Sequence, residues 1–398
     1  MKKYFPLFWV FYLLCAFSAH AGEGRYTIPL TGGGWSLWLD KEASWQNDRL
    51  YLPHEITDLS LLPVNVPTGG WQTLSHNPDA VPVEVPGTVE EYLTVTDNPR
   101  PENFRGVSWW YRKITIPADQ QKKRFIIYFE SVRMRAEVYL DGKLVAYDLI
   151  GETPFHVDIT DEAKPGKEQL LAIRVTNPGG NFHWQDFDIM KWGEYNIPPS
   201  RSFTGIIGRV KLESVNPVFI SDIYMQNTPE LTKVNAILSF TNETSSSVKQ
   251  DVELIVNEKG NPDKVVFRQT LKAISFPAGN HEVTIPVNVP DAQLWDLSTP
   301  ALYTCNVLIK KGKKTLDQDK KDFGFRWFTV DGVGKDAVLR LNGRRIMLRS
   351  AISWGYFPVT GLIATTEMAE KQVRTAKSLG LNMLNFHRCI GSPVVLEK

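Results

Sequence analysis

Over most of the first 326 residues, apolar and polar positions alternate at period two in short runs broken by Pro, Gly and Asn, which predicts strands rather than helices. Between Gly22 and about Val215 the runs Gly106–Ile116, Arg124–Glu130, Pro154–Thr160 and Gln169–Thr176 read as strands. Ala136–Val145 reads as a hairpin with Asp141-Gly142 at its tip, a pair that tolerates the positive φ of a two-residue turn. Sequential strands with a long return predict a jelly-roll sandwich. From Asn216 to Arg326 the runs Val234–Asn242, Ser247–Asn257, Val265–Leu271, His281–Val289 and Tyr303–Lys310 alternate again. About 110 residues with some seven short strands predict an immunoglobulin-like sandwich.

After Leu339 the period changes. Arg345–Arg349 alternates behind the Asn342-Gly343 turn and reads as a strand, followed by an aromatic, glycine-containing loop, Ser353–Pro358. A helix is predicted from an N-cap at Thr365, with Glu367 and Glu370 near its positive end and a buried stripe of Ala369, Val373, Ala376 and Leu379. Gly380 ends it, Asn382–Phe386 is a short buried strand, and Ser392-Pro393 opens a further helix. Strand, helix, strand implies a parallel sheet, whose working side chains sit just beyond the strand ends. Trp354, His387 and Arg388 fall there. A (β/α)8 barrel needs roughly 250 residues; about sixty lie between Leu339 and Lys398. The expectation is therefore a multidomain, mainly β chain that ends inside the first βα units of an incomplete (β/α)8 TIM barrel. The boundaries are 1–21, 22–215, 216–326 and 327–398.

The N-terminus changes the picture of where the chain works. Lys2-Lys3, the apolar stretch Leu7–Phe17 and Ala19-His20-Ala21 have the form of a secretory signal peptide cleaved near Ala21, so an exported protein, periplasmic or extracellular, is expected, with no membrane attachment after cleavage. Cys305 and Cys389 would remain in different domains, so no disulfide is expected, and no His/Cys cluster suggests a metal. A net charge of +1 gives no reason to expect a nucleic-acid partner. Twelve Trp, thirteen Tyr and twenty Phe suit a β-rich carbohydrate-binding protein, because pyranose faces stack on rings, and equally suit core packing. Asn177–Gly208 breaks the strand rhythm with a long loop carrying His183-Trp184, Asp186, Asp188 and Trp192. Asp186 and Trp192 are read as shaping a sugar site, or the loop's tryptophans as pins at a domain interface.

Several motifs stand in one order: Val85-Pro86-Gly87, Gly106–Arg112, Pro154-Phe155 with Asp158–Thr160, Leu294-Trp295 with Pro300 and Leu302-Tyr303, Gly324-Phe325-Arg326, and Leu341-Asn342-Gly343 with Leu348-Arg349. This order resembles glycoside hydrolase family 2, whose members include β-galactosidases, β-glucuronidases and β-mannosidases. The resemblance implies a sugar-binding jelly roll, an immunoglobulin-like domain and a catalytic barrel that acts on a β-linked oligosaccharide or glycoside without a cofactor. It also implies retention through two glutamates about 5–5.5 Å apart. In the family both come from later barrel strands, which would lie beyond Lys398. No catalytic residue is therefore assigned within this chain, and the chain alone is expected to be inactive. Glu367 and Glu370 are read as helix-end charges and Glu397 as a helix-surface residue. Ser350–Gly355 and Asn385–Cys389 depart from the family's usual subsite pattern, which suggests a divergent substrate. For His387 and Arg388 the reading leaves open a contact to a sugar hydroxyl or carboxylate, orientation of the nucleophile, or, for Arg388, a structural ion pair. The competing reading is a non-catalytic carbohydrate-binding protein.

Overall fold

The computed structural model describes residues 24–93, 104–179, 190–197, 203–353, 355, 363–387 and 390–398. The expected signal peptide lies outside them. The first part of the chain carries β1 (Tyr26–Pro29), β2 (Gly32–Asp40), β3 (Val81–Val85), α1 (Val89–Tyr92), β4 (Gly106–Thr115), β5 (Arg124–Phe129), β6 (Arg135–Leu140), β7 (Lys143–Asp148), β8 (Phe155–Asp158), β9 (Glu168–Asn177), the small hairpin β10 (Met190–Trp192) and β11 (Tyr195–Ile197), and β12 (Val210–Val215). They form a sandwich of a four-stranded sheet, β1-β12-β5-β8, and a six-stranded sheet, β3-β2-β4-β9-β6-β7. Trp35, Trp110, Phe129, Val138 and Ile173 are among the side chains buried in its core.

The six-stranded sheet is covered on its other face as well. The segment 41–80, which holds three short 3-10 turns, lies over that face and seals a second aromatic cluster of Trp45, Leu62, Trp109, Tyr139 and Trp192. Six of six β6 positions are therefore buried, where a sheet with one wet face would alternate. The sequence pattern concealed this, because the second face carries Arg135, Glu137 and Arg174, side chains ordinarily found in water.

The second sandwich holds β13 (Val218–Asn227), β14 (Lys233–Asn242), β15 (Val248–Glu258), β16 (Val265–Phe276), β17 (Gly279–Asn288), β18 (Tyr303–Lys311) and β19 (Lys314–Phe323). Its sheets are β13-β14-β17 and β16-β15-β18-β19, and every pairing within them is antiparallel. Val234, Ala236, Leu238 and Phe240 of β14 alternate inward, as do Tyr303, Cys305, Val307 and Ile309 of β18. A one-residue slip would turn each set out to water, so the register is strongly set.

Then come β20 (Phe328–Asp331), β21 (Val338–Leu341), β22 (Arg344–Arg345), β23 (Ser350–Ser353), α2 (Thr366–Ser378), β24 (Met383–Phe386) and α3 (Pro393–Leu396). β23 and β24 pair in parallel. The strand expected at Arg345–Arg349 is not continuous. The Asn342-Gly343 turn folds Arg344-Arg345 back on β21, and parallel pairing starts only at Ser350. Asn342 itself sits at φ +51 and ties this region to the second sandwich by donating from Nδ2 to the Trp295 carbonyl at 2.9 Å, while it accepts from the Trp327 N–H of its own region at 2.9 Å. Thr365 caps α2 by accepting from the Met368 N–H, and Ala369 is fully buried, but Leu379 is 72% exposed, so the expected stripe stops one turn early.

Candidate functional site

The C-terminal ends of the two parallel strands meet at Ser353 and His387. The His387 N–H donates to the Ser353 carbonyl at 3.0 Å, and Gln372 of α2 donates from Nε2 to Ser353 Oγ at 3.0 Å. Ser353 is buried, so its hydroxyl is held in place by the helix that follows its own strand. Trp354 and Arg388, the residues next to Ser353 and His387, lie outside the described residues, as does Asp186. Neither segment after these strands, 354–365 or 387–392, contains an Asp or Glu. Sequence reasoning singled out His387 but passed over Ser353 and Gln372, which only the parallel pairing reveals.

Lys398, the position beyond which the catalytic pair is expected, has a packing role instead of a place at the strand ends. Its ammonium donates to Glu370 Oε1 at 2.8 Å, and its N–H donates to the Val395 carbonyl at 3.3 Å, so the second residue after α3 is clasped to α2. The hydrogen bond and charge of Lys398 hold the Glu370 carboxyl below its ordinary range. Glu370 is thus more than the helix-end charge expected from its position: it is the acceptor that ties the two helices together.

Trp192 is placed elsewhere. Its indole has no exposed surface, meets Trp45 edge-on at 5.3 Å between ring centroids, and has the Arg135 guanidinium 4.7 Å above it. It closes the covered face of the six-stranded sheet and fixes the hairpin β10–β11 there, where Gly193 N–H donates to the Gln46 carbonyl and the Tyr195 hydroxyl donates to the Leu50 carbonyl at 3.2 Å. In this arrangement the ring packs against protein.

Beside Trp192 lies a cluster of charge that the sequence did not announce. The register sets Arg174 between Trp109 and Glu137, and Thr176 between Val107 and Arg135, all on the covered face. Arg174 Nη1 donates to Glu137 Oε2 at 2.6 Å, Arg135 Nη2 to Asp48 Oδ2 at 2.6 Å and to Glu137 Oε2 at 3.3 Å, and Asn65 Nδ2 to Glu137 Oε1 at 2.5 Å. Burial alone would draw the Arg135 proton off more easily; the charge of Glu137 and the hydrogen bond to Asp48 outweigh it and hold the group above its ordinary range. The available signal was the spacing Arg135-x-Glu137-x-Tyr139 opposite Arg174-x-Thr176, which puts these groups on one face. Among the described residues no group of three His, Cys, Asp or Glu could hold a metal ion, and no helix is long and apolar enough to cross a membrane.

The first sandwich also touches the parallel unit. Arg209 grips Glu130 through Nε at 3.1 Å and Nη2 at 2.7 Å, and reaches Glu397 at the end of α3 at 2.8 Å.

Comparison with known proteins places this architecture. The sequence model described as "Glycosyl hydrolases family 2, sugar binding domain" matches residues 33–196, and that described as "Glycosyl hydrolases family 2" matches 218–326; together they span more than half of the chain. A beta-glucuronidase of Formosa agariphila is 25% identical over 311 residues, 74% of this chain and 31% of that protein. A beta-galactosidase of Bacteroides ovatus is 24% identical over 299 residues, 73% of this chain and 32% of its own. The chain thus spans about a third of the length of these curated relatives. The fold is shared with a crystallised family 2 glycosyl hydrolase from Bacteroides cellulosilyticus, at a TM-score of 0.70 and 19% identity, over 93% of this chain and 46% of that one. The chain belongs to glycoside hydrolase family 2.

Proposed function

We propose that the chain is the N-terminal part of an exported β-glycosidase that works with retention. The observation that carries this reading is the parallel pair Ser350–Ser353 and Met383–Phe386, joined through α2, which comes after two sandwiches matched to the family and the short sheet β20–β22. It supports reading residues 327–398 as the opening of a (β/α)8 barrel, where working groups gather at the C-terminal strand ends. Ser353 and His387 stand at those ends, and Trp354 and Arg388 adjoin them in sequence. We assign these residues, with Asp186, to the sugar subsite, His387 and Arg388 as polar contacts and Trp354 as a stacking surface. Trp192 would serve the same site indirectly, by holding the β10–β11 hairpin to the sandwich. The names of the relatives favour a β-glucuronide or β-galactoside as substrate.

Retention needs an acid and a nucleophilic carboxylate facing one anomeric carbon. The segments after β23 and β24 hold no carboxylate, so the pair is assigned to barrel strands beyond Lys398, and this length of chain is expected to bind sugar without cleaving it. The test expresses two proteins, the 398-residue chain and the product of the same reading frame carried beyond codon 398, and assays both on aryl β-glucuronides and β-galactosides. The expected result is turnover by the longer protein alone. Turnover by the 398-residue chain, or none by the longer protein on either substrate, would overturn the reading.

A further inference from the structure

The buried charges of the first sandwich border a cavity of about 110 Å³ beneath the segment 41–80, walled by Asp48, Arg49, Asn65, Arg135, Glu137 and Tyr147. Two observations set it apart from a closed structural network. The first is that the network has donors to spare. Arg135, which lines the cavity, is 98% buried, and its Nε finds no acceptor among the described residues; behind it the guanidinium rests on the Trp192 ring, whose Nε1 is likewise without one. Buried donors without partners are rare, and each asks for an acceptor. The second is the balance of charge. Glu137 already accepts from Arg135, Arg174 and Asn65, and Asp48 accepts from Arg135. The wall itself carries two arginines, Arg49 and Arg135, and two carboxylates, and Arg174 behind it adds a third cation bonded to Glu137. Arg49 is exposed at the wall, rests 5.1 Å from the Tyr51 ring centroid, and makes no ion pair among the described residues.

We propose that this cavity is a binding site for a small carboxylate. A carboxylate oxygen would accept from the Arg135 guanidinium inside, while Arg49 holds the anion at the wall; arginine's planar fork suits this geometry. The size selects the ligand. Sites for whole sugars or drug-sized molecules occupy roughly 300–1,000 Å³, so this cavity takes the carboxylate and little more. Two sources supply such a group: a short free acid, or the carboxylate end of a uronic acid whose ring stays outside. Neither Ser353 nor His387 lines it, and its occupancy does not depend on hydrolysis.

The experiment titrates the full chain with acetate and with glucuronate, following heat of binding and thermal midpoint, with glucose and sodium chloride at matched ionic strength as controls. Saturable binding of acetate is expected, with no response to glucose. Binding of glucuronate in competition with acetate identifies the uronic acid end as admissible; acetate alone restricts the site to short acids. Arg49→Ala, an exposed change that leaves the unliganded midpoint in place, is expected to weaken binding about tenfold, the value of one charge-assisted hydrogen bond. Arg135→Lys, which keeps the cation and removes Nε, is expected to abolish it. Should Arg135→Lys fail to fold, Arg49→Ala still decides. No saturable binding of either carboxylate, an equal response to chloride, or unchanged affinity in Arg49→Ala would each overturn the proposal.

Discussion

Arg135, Glu137 and Arg174 show how strongly the worth of an ion pair depends on its surroundings. Glu137 has 3% of its side chain exposed and neutralises two arginines with 2% each. Lys113 and Glu168 form an equally short contact at 2.6 Å, but with 64% and 57% exposed. The buried set gains little over an apolar replacement of the whole cluster, yet removing one member leaves charge stranded in a low-dielectric interior. Glu137→Ala should therefore destabilise the first sandwich by about 3–5 kcal/mol. Glu168→Ala should change stability by no more than about 1 kcal/mol. Urea unfolding of both variants beside the parent checks this. Similar losses in the two would show that the cover of segment 41–80 does not exclude water from Glu137.

At the scale of elements, the β6–β7 hairpin shows which part of the fold could be read in advance. Asp141 and Gly142 sit at φ +49 and +84, and Leu140 pairs with Lys143, as an Asp-Gly tip requires. Much of the second sandwich was equally legible, because β14 and β18 bury every second residue, whereas β13, with Val218, Phe219 and Ile220 buried in a row, and the mostly charged β19 gave no such signal and were not among the strands expected. The Gly-rich β2 was not, since Gly32, Gly33 and Gly34 supply no side chains to set a period. Nor was the covered face, because a strand reading Arg-Ala-Glu-Val-Tyr looks half-wet whether or not a distant segment lies over it. Of the candidate site, His387 at a strand end was foreseen from the helix–strand pattern, whereas the clasp of Gln372 on Ser353 depends on pairing that no local pattern encodes. The same holds for Lys398 on Glu370, a contact between residues 28 positions apart. The hairpin tip also carries a pH signature. Burial works against the Asp141 carboxylate, but the Gln169 amide, the Leu170 N–H and the Lys164 ammonium outweigh it and hold its pKa below the ordinary 3.8. A depressed acid contributes stability that is complete above its unfolded pKa and is lost as pH falls through the folded one. Asp141→Asn keeps a residue that tolerates positive φ while removing the charge. The parent should lose stability relative to Asp141→Asn as pH falls below about 4, and urea midpoints from about pH 6 to about pH 2.5 measure that difference. Parallel curves for the two proteins would remove the carboxylate from the account.

At the scale of the molecule, the question is whether two sandwiches and a βα unit act as one body. Arg25 is the strongest argument that they do. Its guanidinium forks onto Asp317 of β19 at 3.1 and 3.0 Å, reaches Glu213 of β12 at 3.4 Å and Asp319 at 3.3 Å, and so ties the second sandwich to the first. Asp317 has no exposed side chain, and it also accepts from the Ile220 N–H at 2.7 Å. Burial alone would make Arg25 easier to deprotonate; the hydrogen bond and charge of Asp317, with Glu213 and Asp319, reverse that and fix it as a permanent cation. The link to the βα unit is of another kind, since Arg209 and Glu397 keep 43% and 53% of their side chains in water. Truncating Arg25 leaves the buried Asp317 uncompensated where the sandwiches meet, whereas truncating Glu397 leaves groups that solvent can serve. Arg25→Ala should cost about 3–5 kcal/mol and separate the unfolding of the two sandwiches in calorimetry. Glu397→Ala should cost no more than about 1 kcal/mol and leave the trace unchanged in shape. If Arg25→Ala unfolds in the same single transition as the parent at nearly the same temperature, the sandwiches are held by apolar contact and the clamp is incidental. If it splits the trace, a rigid two-sandwich body stands behind the strand ends at Ser353 and His387, joined to their unit at Asn342 by its hydrogen bond to the Trp295 carbonyl.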